Sequence, residues 1–469
     1  MRPFSEASDR VNPLVVLELR RGLRTRTFSA AFVLLLAGGA ITALIAYASY
    51  DGRGGRVGSR SFFALYIGLA AMAFFVLPYG AFRSLSRERE ENTWPLLVLT
   101  GLGPRRILAG KVGSTLLQAL LYASALAPFL LFSYLLQGVD LVTVALLIGV
   151  SAAFQVFLTV AAAAAATLAE SRLWRGVVHL MVLGALFFAT GFGVSVAGVV
   201  LEEAQRRGLD RDVLIAVGVA AGLMASYGAL FFAVAVSRLT FASDNWALWP
   251  RLALLAQLAL AGVGFALAWA DRMSASTWTA LAVLAAVHAS FAALVGGTSA
   301  PGPSLRVRSS PSFGRGLLAP GAASSLRFHV LLMLLYGLLA AAGLRALGAS
   351  ERHWHVVAAA YLFALLYLCT PVALGRGPLR RWLCSPGHLR AFVLLFAVAG
   401  TGLPMLAAAI AGREADDAAF NRLNPGVVLA RLDRKPNGET LILLGALALA
   451  AALVAHQVAL SRDREARGG

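Results

Sequence analysis

Residues 61–82, SFFALYIGLAAMAFFVLPYGAF, and 112–137, VGSTLLQALLYASALAPFLLFSYLLQ, contain no Asp, Glu, Lys or Arg, and they flank the charged stretch 83–111, RSLSREREENTWPLLVLTGLGPRRILAGK. Each apolar run is long enough to cross a bilayer as a helix, which takes about 20 residues. The stretch between them carries Arg83, Arg87, Arg89, Arg105, Arg106 and Lys111, the basic excess of a cytoplasmic loop. Leu96, Leu97 and Thr100 fall at helical spacing, Gly101 and Gly103-Pro104 break that helix, and Ile107 and Leu108 begin the next apolar run. The spacing predicts a short amphipathic helix starting near Trp94, since Pro95 fits a first turn and not a helix interior, followed by a turn and re-entry into the membrane.

The rest of the chain repeats this alternation. Hydrophobic residues make up 59% of the 469 and charged residues 14%, against roughly 25% charged in soluble domains. The expected fold is an all-α polytopic membrane protein of about twelve transmembrane helices. The spans are placed at 28–49, 61–82, 112–137, 141–168, 175–200, 213–236, 252–270, 275–298, 328–347, 354–375, 391–412 and 440–461. With both termini inside, cytoplasmic segments hold roughly two thirds of the 41 Lys and Arg residues. The first run follows a charged segment of 27 residues and is too long for a signal-peptide core, so it reads as a signal anchor. The formal charge of +18 sits at span ends, where arginines meet anionic headgroups, so lipid bilayer and not nucleic acid is the expected partner of that charge. Residues 299–327, rich in Ser, Pro and Gly with Arg306, Arg308 and Arg315, form a cytoplasmic linker. The two cysteines, Cys369 and Cys384, make no disulfide framework.

Upstream, Asn12-Pro13 is a capping residue followed by a first-turn proline. From Leu14 to Thr27, Val15, Val16, Leu19 and Leu23 fall on one side and Arg20, Arg21 and Arg24 on another, the pattern of an interfacial helix. Together with Glu88, Arg89, Glu90, Thr93, Leu96, Leu97, Thr100, Leu102, Ile107, Leu108, Gly110 and Lys111, this segment resembles the permease subunits of type-2 ATP-binding-cassette (ABC) exporters. Their cytoplasmic loop reads roughly E-R-E-x-G-T-L-E-L-L-L-x-T-P-L-S and then I-L-x-G-K. Their interfacial connecting helix begins N-P-x-x-x-x-E-L-R, matched by Asn12, Pro13, Glu18, Leu19 and Arg20. Asn92 stands for the usual Gly, Trp94-Pro95 for Leu-Glu, and Gly101 and Gly103 for the Pro and Ser of the turn. Asn and Gly preserve the same backbone options. Ser237-Arg238-Leu239-Thr240 with Asp244-Asn245 is similar to the end of the family's six-helix unit, so the resemblance covers about residues 12–250.

That resemblance implies a connecting helix within 1–27, a six-helix permease domain over 28–250 with its coupling loop at 83–111, and an accessory bundle beyond. The accessory part comprises spans seven and eight in 251–298, the linker 299–327, and spans nine to twelve with a short cytoplasmic tail in 328–469. It also implies that Glu88, Glu90, Thr93, Leu96, Leu97 and Thr100 engage a groove of a separate ATPase subunit, the polar groups by contact and the leucines by apolar seating. A second permease copy or a paralogue completes the path. ATP and magnesium belong to the partner, with no cofactor, metal or catalytic residue on this chain, and the location is the cytoplasmic membrane with both termini inside. A fused pair of permeases fits less well, because 299–327 lacks the Glu-Arg-Glu and Thr pattern and Leu383-Cys-Ser-Pro386 echoes the coupling turn only weakly.

Other chemistries lack their residues. A phosphate-binding loop needs Gly at 105 and Ser or Thr at 112, where Arg105 and Val112 stand, so Lys111 is not a nucleotide lysine and the chain is expected not to be an ATPase. Glu202, Glu203 and Arg207 satisfy the E-E-x-x-x-R signature of intramembrane CAAX proteases without its companion histidines. An ion-coupled carrier or lipid-handling enzyme would place carboxylates at mid-membrane, and the proposed span interiors hold none. That alternative and a non-transporting membrane scaffold stand behind the exporter reading. His179, His288 and His456, and Gly218-x-x-x-Gly222, read as helix packing. Nothing in the sequence names a substrate.

Overall fold

A computed structural model describes residues 13–50, 57–91, 103–136, 139–168, 172–240, 245–270, 273–296, 317–319, 321–379, 381–382, 386–411 and 424–468. Among them the chain is all α, with 14 helices and no strand. In chain order these are α1 Pro13–Leu23, α2 Arg26–Ala48, α3 Val57–Glu90, α4 Pro104–Leu135, α5 Leu141–Leu168, α6 Arg172–Arg207 and α7 Arg211–Leu239. There follow α8 Leu248–Ala270, α9 Ala275–Gly296, α10 Ala322–Ala346, α11 Glu351–Arg376, α12 Pro386–Ile410, α13 Pro425–Arg434 and α14 Gly438–Gly468. All but α1 and α13 are long and apolar enough to cross a membrane, which gives 12 candidate spans. Their outward faces carry large apolar side chains, such as Leu34, Phe188 and Ile410, that are 69%, 79% and 80% exposed. Helices that close all their backbone hydrogen bonds internally and expose such belts are built for lipid.

The chain divides into two compact units, Met1–Leu239 and Thr240–Gly469. In the first, α4 packs against α1, α2 and α3, and α5 packs against α3 and α7. The core joins Phe62, Tyr66, Phe74, Phe82 and Leu85 of α3 to Leu108, Tyr122 and Leu126 of α4 and to the small residues Ala162, Ala163 and Ala166 of α5. Small residues bring backbones together: a Cβ on Gly39 of α2 would stand 2.6 Å from the Phe129 ring. In the second unit α11 packs against α14, α9, α13, α12 and α10. Its buried residues form separate smaller clusters, one around Val356, Phe363, Val428, Leu432 and Leu444, another around Leu326, Cys369 and Ala455.

Three local features depart from the sequence reading. First, α3 does not stop with the apolar run at Phe82 but continues through the charged residues to Glu90, because nothing from Arg83 to Glu90 breaks a helix. Within it, Ala71–Val76 form a π-helical turn, in which the Leu77 amide bonds the Met72 carbonyl five residues back. Pro78 follows directly, has no amide to donate and crowds the preceding turn; the wider turn absorbs that defect. Second, the amphipathic segment from Leu14 divides. α1 ends at Leu23, and Thr25 caps α2 by accepting a 3.1 Å hydrogen bond from the Phe28 amide. Third, part of the polar stretch 413–439 forms α13, whose opening Asn424-Pro425-Gly-Val-Val-Leu429 repeats five of the six residues of Asn12-Pro13-Leu-Val-Val-Leu17. Asn424 caps α13 by accepting from the Gly426 amide at 3.1 Å and donates to the Thr401 carbonyl at 2.8 Å.

Candidate functional site: a buried ion cluster at the base of the charged loop

Gly103-Pro104 opens α4 with proline where a missing amide costs nothing, and the Gly103 carbonyl accepts from the Arg106 and Ile107 amides at 2.9 and 3.2 Å. Two turns further on, Lys111 points into the protein with its side chain 5% exposed. Its ammonium has three donors, and all find partners: Glu18 Oε1 of α1 at 3.0 Å, Glu88 Oε1 of α3 at 2.7 Å and Ser84 Oγ of α3 at 2.9 Å. Ser84 and Glu88 lie one turn apart and so share a face of α3. The cluster therefore ties α1, the end of α3 and the start of α4 to one point. α1 approaches α4 closely enough for this because Gly113 leaves room for Val15, whose Cγ2 would lie 3.3 Å from a Cβ there.

The residues after Glu88 turn to other neighbours, as consecutive positions on a helix must. Arg89 donates through Nη1 to the Thr167 carbonyl and, at 3.4 Å, to that of Ala166. This places a cation on the orphan carbonyls and negative end of α5. Glu90 forms an ion pair with Arg175 of α6 at 3.2 Å, partly open to solvent. Nearby, the Tyr79 hydroxyl and His179 Nε2 are 2.6 Å apart, joining α3 to α6. The Glu-Arg-Glu run thus anchors the C-terminal end of α3 to every helix beside it.

Burying Lys111 against carboxylates is tolerable only because the ammonium is fully bonded. Removing one partner of such a buried pair costs about 3–5 kcal/mol, since it strands the remaining charges. Glu88 and Glu18 are 14% and 15% exposed, so both carboxylates face inward, whereas Arg20 is exposed. Pro13 begins α1. Thr93, Leu96, Leu97 and Thr100 lie outside the described residues, as does Asn12. In the sequence Glu88 and Lys111 stand at the two ends of one loop pattern and Glu18 in the separate connecting-helix pattern. Their meeting joins positions up to 93 residues apart, which no local pattern announces.

A cavity of about 40 Å³ lies where the π-helical turn meets α4 and α5, lined by Tyr66, Ala70, Phe74, Ser151 and Gln155 among others. Its polar edge is the Tyr66–Ser151 hydroxyl pair, 2.7 Å apart. No cluster of three or more His, Cys, Asp or Glu able to hold a metal occurs among the described residues. No family model, curated protein or solved structure matches the chain. Fold and site define a multi-pass, all-helical membrane protein whose charged loop is braced at both ends by buried ion pairs.

Proposed function

We propose that this chain is the membrane-spanning permease subunit of an ATP-driven exporter of the type-2 ABC class, worked by a separate ATPase that docks on the loop within 83–111 through Thr93, Leu96, Leu97 and Thr100; of the contacts expected from the sequence, Glu88 and Glu90 are engaged instead by Lys111 and Arg175. The observation that carries this reading is the convergence of Glu18, Glu88 and Lys111. They are three of the residues that carry the resemblance to the connecting helix and the coupling loop, and they close on one another. A loop that receives force needs rigid ends. Here one end is held to α1, α4, α5 and α6 by Glu88, Arg89 and Glu90, and the other by Lys111. Force applied between the two ends would then reach the interfacial helix and the spans together. The path is completed by a second copy or a paralogue, ATP and magnesium are held by the partner, and both termini face the cytoplasm.

The test is to express the chain alone and together with a candidate ABC ATPase subunit from the same genome. The chain alone is expected to hydrolyse no ATP and the co-purified complex to do so. Hydrolysis by chain that mass spectrometry finds free of partners, or no ATPase retained on it, would remove the reading.

A further inference from the structure

In the second unit Arg251 sits in the first turn of α8, 1% exposed. Its Nη1 donates to the Leu317 carbonyl, to the Ala319 carbonyl at 2.7 Å and to Ser324 Oγ at 3.1 Å. These acceptors are all neutral. The guanidinium lies over the Phe328 ring, 5.3 Å from its centroid. Its other edge is different: Nε and Nη2 are buried and find no acceptor among the described residues. No carboxylate among those residues pairs with it.

The surroundings add to the charge instead of offsetting it. Arg251 lies in the first turn of α8, and Ser324 and Phe328 in the first two turns of α10. Each helix start presents the positive end of its dipole. A buried cation of this kind costs several kcal/mol unless an opposite charge joins it. Nε–H and Nη2–H point in parallel along one edge of the guanidinium, the geometry that takes two oxygens of one oxyanion. Both helices begin candidate spans here, Leu248–Leu267 and Ala323–Ala346, so the fork lies at headgroup depth, where the abundant oxyanion is phosphate.

We propose that the Nε/Nη2 edge of Arg251 binds a phosphate oxyanion, supplied by the headgroup of an anionic phospholipid. This site is separate from the ion cluster of the first unit and does not rest on the exporter reading. Because both nitrogens are covered, exchange is expected to be slow, so the chain is first delipidated and then equilibrated with each probe before measurement.

The test uses the full chain in phosphate-free maltoside micelles, with native mass spectrometry for bound lipid and the thermal unfolding midpoint as readouts. Three probes are added in turn: phosphatidylglycerol, inorganic phosphate, and a glucosyl diacylglycerol that has the acyl chains and no phosphate. Phosphatidylglycerol is expected to stay bound and raise the midpoint of the wild type, and the glycolipid to do neither. Arg251→Met is expected to lose the response. Arg251→Lys, which keeps the charge and loses the fork, is expected to bind roughly tenfold more weakly and serves where the Met variant fails to fold. A response to inorganic phosphate and not to the lipid would uphold the oxyanion and assign it to free phosphate. An undiminished response in both Arg251 variants, or no response of the wild type to either phosphate source, would overturn the proposal. So would strong coupling, without any phosphate, between Arg251→Met and Asp244→Asn, because the fork would then already hold a carboxylate of the chain; Asp244, outside the described residues, is the nearest acid in sequence.

Discussion

Each unit of this protein buries a cation near the end of a span, and the two are treated oppositely. Lys111 in the first unit meets two carboxylates and a hydroxyl. Arg251 in the second meets carbonyls, a hydroxyl and an aromatic ring, and its Nε and Nη2 stay buried with no acceptor among the described residues. The same burial therefore has different consequences. Where the chain supplies the counter-charge, the cation locks helices together. Where it does not, the cation keeps unused donors, which is the ground for the proposed oxyanion site.

The largest expected effect breaks the first half of this contrast. Lys111→Met should destabilise the protein by about 3–5 kcal/mol, because Glu18 and Glu88 would remain buried with no cation. The loss should appear as a lower thermal midpoint and less folded protein in micelles. Adding Glu18→Gln and Glu88→Gln should recover most of it; a triple variant no better than the single one would show that the ion cluster is not what holds α1 to α3 and α4. Arg89→Met should come next, at about 1.5–3 kcal/mol, through the charge-assisted bonds to the end of α5. Arg251→Met in phosphate-free micelles should cost less, about 1–2 kcal/mol. Some carbonyls lose a donor, but a poorly compensated charge leaves with it. A cost equal to that of Lys111→Met would erase the difference between the units.

Two smaller effects sharpen the scale. Asp140 caps α5, accepting from the Thr143 amide at 2.9 Å and from its hydroxyl. Burial raises its pKa, but these hydrogen bonds and the backbone amides outweigh that and leave the carboxyl below its usual value. A depressed folded-state pKa means the contribution is complete above the unfolded value and fades as pH falls through the folded one. Asp140→Ala should therefore cost about 0.5–1 kcal/mol at neutral pH, and its gap from wild type should narrow below about pH 4. A gap constant from pH 6 to pH 2 would contradict the charged cap. Glu90→Gln, in a half-open pair with Arg175, should cost less than about 1 kcal/mol.

The twelve spans were legible because long uncharged runs leave a chain few alternatives in lipid. The end of α3 was not, since charge marks where a helix leaves the bilayer and not where it stops. Arg251 shows a related limit: an arginine at a span end reads as an exposed charge at the headgroups, and only the carbonyls of 317 and 319, 66 and 68 residues away, reveal that its guanidinium is buried against the chain. For α13 a signal existed in Asn424-Pro425 and its Val-Val-Leu, the opening already used to find α1. The pairing of Glu18 and Glu88 with Lys111 had no local signal, although Glu88 and Lys111 belong to the loop pattern and Glu18 to that of the connecting helix.

The proposed seating of an ATPase on the loop within 83–111, through Thr93, Leu96, Leu97 and Thr100, is tested most directly by replacing Leu96 and Leu97 together with Asp and measuring ATPase co-purification and transport-stimulated hydrolysis. Two buried leucines are worth roughly 3–6 kcal/mol, more than a hundredfold in affinity. The expected result is unchanged membrane abundance, an ATPase lost from the complex and no stimulated hydrolysis, with Gln137→Ala behaving as wild type. Normal co-purification and normal stimulated hydrolysis in the Leu96→Asp, Leu97→Asp variant would contradict it.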